Sequence, residues 1–191
     1  QYGLSIRDPR IADTSQSNGF ESDNNASGAE TVPFTSATFK NITFIGPRTA
    51  KNSDFANTSD YITAGSMFPD NGSKLGLFQA AMQIRRSSKL NVENTLAVGY
   101  PIGLIVDGEK GNTVKYAKEG GFSLKNIIFA GMGVIGTDKN KEYADYLYDY
   151  ATGTEDRDKV SYSHSFFFSE PTNSEMDEAA LNLTDPKGTG Q

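Results

Sequence analysis

Alternation of apolar and polar residues recurs along this chain and predicts a series of short strands. Tyr2, Leu4 and Ile6 stand two apart, with Gly3 and Ser5 between them, and Asp8-Pro9 ends the segment. Phe39, Ile42 and Phe44 carry a second segment closed by Pro47. Met82 and Ile84 alternate with Gln83 and Arg85, Leu90 and Val92 follow the Ser87-Ser88 corner, and Leu104-Ile105-Val106 runs into Asp107-Gly108. Three short strands within about thirty residues, with tight corners between them, give the rhythm of a stacked coil.

One stretch repeats. Phe39-Lys40-Asn41-Ile42-Thr43-Phe44-Ile45-Gly46 returns as Val92-Glu93-Asn94-Thr95-Leu96-Ala97-Val98-Gly99 and as Leu124-Lys125-Asn126-Ile127-Ile128-Phe129-Ala130-Gly131. The asparagines are 53 and 32 residues apart. In a parallel β-helix equivalent residues of successive coils stack about 4.8 Å apart. Apolar positions then form interior ladders. Asn41, Asn94 and Asn126 are expected to be structural, each bonding to the copy above or below at a bend. Gly46, Gly99 and Gly131 are expected at corners that need positive φ. The unequal spacing points to a surface loop over 49–78 between the first two copies.

The pattern changes after Gly136. Tyr143, Tyr146, Leu147 and Tyr150 fall at helical spacing between Asp138 and Gly153, which predicts a helical insertion over 139–151 whose tyrosines pack on the flank of the coils. Val160, Tyr162, His164, Phe166 and Phe168 alternate with Ser161, Ser163 and Ser165, which predicts a strand over 160–168 in a C-terminal cap region, 160–191. A short helix is expected near Ser174–Leu181. The predicted fold is therefore all-β: one domain over 1–191, a right-handed parallel β-helix (solenoid) fragment with one short helical insertion. A β-sandwich is the alternative. Gln1 reads as an internal start, and the segment from Asp185 to Gln191 as a linker or a cut.

Composition narrows the function classes. Hydrophobic residues make up 36% of the 191 and there are 19 glycines, which suits an elongated β-protein rich in turns. The net charge of −6 disfavours nucleic acid and anionic membrane surfaces as partners. With no cysteine there is no disulfide, thiol nucleophile or Cys-ligated metal. His164 is the single histidine and cannot build a multi-His metal site.

Candidate chemistry is sparse. Asp23, Asn25 and Ser27, followed by Gly28, match the first half of a calcium loop, with oxygen ligands at alternate positions. The twelfth position would be Phe34 rather than Glu, and an Asx-rich turn explains the same residues. Arg85, Tyr100 and Asp107 are the ligand-binding candidates. Tyr100 could stack on a sugar ring. Arg85 or Arg86 with a calcium ion at Asp23 could serve a lyase. Asp107 and Asp23 are the carboxylates a hydrolase would pair, although nothing in the sequence pairs them. No catalytic set emerges.

The segments Leu4-Ser-Ile-Arg-Asp-Pro-Arg-Ile-Ala-Asp13, Ser17-Asn-Gly-Phe-Glu-Ser-Asp-Asn-Asn-Ala-Ser-Gly28, Ile45-Gly-Pro47, Ile84-Arg-Arg-Ser-Ser88 and Gly99-Tyr-Pro-Ile-Gly-Leu-Ile-Val-Asp107 together resemble the right-handed β-helix surface lipoproteins of Bacteroidetes. The resemblance spans about residues 1–131. Region 137–170 departs from it and reads as a lineage-specific insertion. The resemblance implies a lipid-anchored location at the cell surface or outer membrane, beside TonB-dependent receptors, with earlier coils and an anchor signal before Gln1. It carries no catalytic motif. The expected function is a non-catalytic surface protein. It would bind a glycan or peptide, or serve a TonB-dependent uptake complex beside its receptor or other surface lipoproteins. A polysaccharide lyase or glycoside hydrolase, and a structural or adhesive stalk, are the alternatives.

Overall fold

The computed structural model describes residues 1–7, 17–49, 78–140 and 142–184. The loop expected over 49–78 lies outside the described residues except for Thr49 and Phe78, as does the segment from Asp185 onward.

Two parallel sheets dominate. The first places β1 (Gly3–Ile6), β4 (Ile42–Ile45), β6 (Asn91–Val98), β8 (Leu124–Ala130) and β12 (Ser174–Met176) side by side, with β3 (Thr38–Lys40) also paired to β6. The second runs β2 (Phe20–Ser22), β5 (Ala80–Ile84), β7 (Ile102–Val106) and β9 (Val134–Thr137). From β1 to β9 the chain passes back and forth between the sheets, and every pairing in both is parallel.

The repeats stack in register. Phe44 pairs with Ala97, and Ala97 with Phe129; Ile45 and Val98 pair likewise with Val98 and Ala130. Within each copy an asparagine breaks the pleat. Asn41, Asn94 and Asn126 have φ of 61°, 52° and 54°. Asparagine tolerates this left-handed conformation better than other side-chain-bearing residues. The break resets the alternation, so that Val92, Ala97 and Phe129 all reach the same core as Leu124 and Ile127. Asn94 Nδ2 donates to Asn41 Oδ1 at 3.3 Å, and Asn126 Nδ2 to Asn94 Oδ1 at 2.9 Å. The closing glycines differ among themselves. Gly99 and Gly131 have positive φ, but Gly46 does not. Gly46 answers to close approach instead, because a Cβ there would lie 2.4 Å from the Gly99 carbonyl oxygen.

The core lies between the sheets, where Met82, Ile84, Leu104 and Val106 meet Phe44, Val92 and Phe129. A smaller apolar cluster, Ala80, Ile102, Ile105 and Val134, sits elsewhere on the second sheet and is covered by Tyr143.

Three expectations fail. Residues 139–140 and 142–151 hold no helix; 142–146 lack regular structure and lead into a hairpin, β10 (Leu147–Asp149) antiparallel to β11 (Thr154–Asp156). Tyr143 packs on the second sheet as expected of the stripe, its hydroxyl donating to the Phe78 carbonyl at 2.7 Å. The alternating run after Val160 is a helix, α2 (Tyr162–Ser169), not a strand. The charged stretch 110–119, where the alternation predicts no strand, contains α1 (Thr113–Lys118), which buries Tyr116 and Ala117 and exposes Lys115 and Lys118. The helix expected near Ser174–Leu181 divides into β12 and a 3₁₀ turn, Glu178–Leu181.

Candidate functional site

A cleft of about 520 Å³ opens between α1 and the β10–β11 hairpin, a size that suits a small-molecule ligand. Its floor is Val106 and Gly108 at the end of β7, with Val114 and Tyr162. One wall is the outer face of α1, with Lys115, Lys118 and Glu119. The other is β10 and its turn, with Tyr148, Asp149 and Tyr150.

Asp138 positions this site from below. It is 3% exposed. Its Oδ2 accepts from the backbone N–H of Tyr148 at 3.2 Å and of Tyr162 at 2.8 Å. Its Oδ1 accepts from the Ser163 N–H at 2.9 Å and the Ser163 hydroxyl at 3.0 Å. One carboxylate thus ties the hairpin wall to the first turn of α2, where negative charge also meets the positive end of the helix. Ser161 completes the cap by accepting from the His164 N–H.

The only histidine belongs to the same framework. His164 Nδ1 lies 2.5 Å from Asp145 Oδ2, while Asp145 Oδ1 accepts from the Ser161 N–H. This joins the segment before β10 to α2.

Two of the cleft phenols, Tyr150 and Tyr162, are held protonated. Burial, followed by the nearby Asp107 charge, pushes the Tyr150 hydroxyl up to about 12. Burial and then Asp138 raise Tyr162. Tyr148 and Tyr150 meet edge to face at 4.8 Å. Lys118 Nζ lies 5.3 Å from the Tyr162 ring centroid and Lys139 Nζ 4.6 Å from that of Tyr148.

Lys139 clamps the hairpin. Its ammonium lies 2.8 Å from Glu142 and 2.9 Å from Glu155, and Arg157 reaches Glu155 at 2.9 Å. Lys139 and then Arg157 hold Glu155 at about 2, below its ordinary 4.5. A carboxylate with a depressed folded value contributes stability above its ordinary value and loses it as pH falls through the folded one. The clamp should therefore loosen between about pH 4.5 and 2. Amide exchange at Tyr148 and Thr154 is expected to quicken over that window, and the Glu155→Gln variant should lack this step. An identical profile in that variant would remove Glu155 from the explanation.

The residues singled out from the sequence lie elsewhere. Arg85, Asp23 and Glu21 form one ion-paired row, with Arg85 Nε 2.9 Å from Asp23 Oδ1 and Nη1 3.2 Å from Glu21. The Nε contact is an ion pair whose N–H points off the hydrogen-bond line. Arg86 takes the other Asp23 oxygen at 2.9 Å. Asp107 is buried beyond this row, accepting from Gln83 Nε2 at 3.1 Å and from the Glu109 N–H at 2.8 Å; burial raises its carboxyl above the usual range. Tyr100 is a core residue, 1% exposed, and burial pushes its hydroxyl up to about 12. It offers no face to a sugar, which corrects the stacking role expected of it.

The calcium reading is corrected on geometry. Both Asp23 oxygens face guanidinium groups. Asn25 Oδ1 accepts from the Ser27 N–H at 2.9 Å and the Ser27 hydroxyl at 2.8 Å, an Asx turn. Phe34, at the twelfth position, packs with Tyr116 around the Lys89 ammonium, 3.9 Å and 4.1 Å from the two ring centroids. Two guanidinium charges thus stand against Asp23, and Ser27 takes the Asn25 oxygen, where a cation would have to sit. Among the described residues no three His, Cys, Asp or Glu side chains converge as a metal site.

The parallel strand pairing and the in-register repeats agree with a match to a family model, the pectate-lyase like beta helix domain, over residues 9–166. The chain belongs to that family. The matched span takes in β2 to β11 and most of α2, so the hairpin and α2 that shape the cleft fall within this pectate-lyase like beta helix domain. No curated protein and no solved structure matches the chain.

Sequence reasoning missed the cleft. Tyr150 belongs to the expected helical stripe and Tyr162 to the expected strand face, and Tyr148 stands out in neither; their convergence on Lys115 and Lys118 depends on two helices and a hairpin that the periodicity does not indicate.

Proposed function

We propose that this protein is a non-catalytic cell-surface β-helix protein that binds a ligand in the cleft between α1 and the β10–β11 hairpin. The observation that carries this reading is the cleft itself: three half-buried tyrosines and four exposed charged side chains around about 520 Å³. The charged residues that a lyase or hydrolase would recruit, Arg85, Asp23 and Asp107, are held by one another or by Gln83 and lie outside the cleft lining. The two parallel sheets are read as coils of a right-handed solenoid that presents the cleft. The lipid-anchored outer-membrane location, and service to a TonB-dependent uptake complex, follow from the resemblance to Bacteroidetes surface lipoproteins.

The family's description favours a second reading, a polysaccharide lyase or glycoside hydrolase. Incubating the protein with acidic and neutral polysaccharides and following chain length by size-exclusion chromatography separates the two. Chain length is expected to stay unchanged. Shortening that disappears in Arg85→Ala or Asp107→Ala would overturn the non-catalytic reading. Native isolation from membranes tests the accessory role, which predicts a receptor in stoichiometric amount.

A further inference from the structure

The wall chemistry of the cleft selects among ligand classes; this step rests on the cleft being a ligand site. Lys115 and Lys118 stand three residues apart on the exposed face of α1, and neither ammonium reaches a carboxylate at salt-bridge distance among the described residues. Glu119 follows on the same wall and Asp149 faces them from β10. The cleft therefore presents two cations and two anions. Asp138 keeps its negative charge below them, but it is buried with both oxygens bonded to protein donors and offers a ligand no direct contact.

An ionic ligand would meet about as much repulsion as attraction in such a cleft. A hydroxyl group differs, because it both donates and accepts. It finds an acceptor in Glu119 or Asp149 and a donor in Lys115 or Lys118. The tyrosines supply what the charges cannot, namely flat apolar faces with a polar tip. A pyranose matches both features, with C–H groups on its faces and hydroxyls around its rim.

We infer that the cleft takes an uncharged saccharide, its ring face laid on Tyr148 or Tyr162 and its hydroxyls shared among Lys115, Lys118, Glu119 and Asp149. Affinity would then come from stacking and paired hydrogen bonds rather than from net charge. It would respond little to salt, unlike that of an anionic glycan held by lysines.

The test is calorimetric titration of the full chain with neutral gluco-, xylo-, manno- and galacto-oligosaccharides, with oligouronides and sulfated oligosaccharides, and with a tripeptide pool, each at low and high salt. At least one neutral oligosaccharide should bind, with affinity changing less than about twofold between the salts. Tyr148→Ala or Tyr162→Ala should weaken it about tenfold or more. The melting temperature should hold for the variant used, and Tyr148→Phe should retain binding. The chain has no tryptophan, so tyrosine emission gives a second readout of the same site. Binding confined to uronides or sulfated glycans and weakened by salt would overturn the neutral-saccharide inference while leaving a ligand cleft in place, and so would binding of peptides alone. Neutral binding untouched by both tyrosine variants would place the saccharide elsewhere and overturn it. No binding in any class would overturn both the inference and the cleft reading.

Discussion

Asp138→Ala is expected to lower stability by roughly 4 kcal/mol, because three backbone N–H groups lose their acceptor and each unsatisfied donor costs about 1–3 kcal/mol, while the Ser163 hydroxyl keeps the Thr137 carbonyl as an acceptor at 2.9 Å. The donors come from β10 and α2, which are otherwise joined mainly by the His164–Asp145–Ser161 contacts. Losing Asp138 should therefore release the hairpin wall of the cleft as well as the helix start. Urea denaturation should show a lower midpoint, and amide exchange should rise first at Tyr148, Tyr162 and Ser163. Asp138→Asn keeps one acceptor oxygen and should lose less. A loss below about 1 kcal/mol for the alanine variant would mean that water replaces the carboxylate and that it does not organise this region.

Phe167→Ala should cost about 3–5 kcal/mol. Phe167 is fully buried and stacks on Phe129 of the third repeat, with centroids 4.3 Å apart and planes within 8°. It is the main anchor of α2 on the core, and Asn173 adds a polar tie by donating to the Phe167 carbonyl and to the Leu124 carbonyl. Phe167→Leu should recover much of the loss by refilling volume. In the double variant with Phe129→Ala the losses should not add, since the two rings share one contact. Additive losses would show that each ring is held by other neighbours.

The repeat was legible because its signal is local and recurrent. Each copy carries the asparagine that tolerates positive φ, the apolar residues that point inward and a glycine at the corner, so backbone preference and burial agree at the same positions. The strands around Met82, Val92 and Leu104 were legible for the same reason. Gly46 was not distinguishable from Gly99. What it answers to is the Gly99 carbonyl of the neighbouring copy, a contact that local sequence does not encode.

The C-terminal third misled for one physical reason. Val160 to Phe168 alternates like a strand, but three of its alternate residues, Ser161, Ser163 and Ser165, are serines, which suit caps and turns as readily as a sheet face. Ser161 and Asp138 take the first N–H groups of the segment, and Phe129 offers a ring for Phe167, so helical geometry satisfies more groups than an extended strand could. Before it, Tyr143 to Tyr150 has helical spacing, but Tyr143 packs on the second sheet and the Tyr148 N–H bonds to Asp138, ties that a helix over this segment would give up. Contacts distant in sequence outweigh propensities of a few tenths of a kcal/mol per residue.

By itself the sequence determined the repeated strands, the turns between them, the in-register asparagines and the absence of thiol chemistry. Tertiary structure alone decided that Asp23 pairs with arginines, that Tyr100 is core, and that Lys115, Lys118, Tyr148, Tyr150 and Tyr162 share one cleft. Repeats are written in short-range patterns that each copy restates. A binding cleft is made where separate segments meet, and the energy that brings them together lies in buried contacts such as Asp138 and Phe167 that no local pattern records.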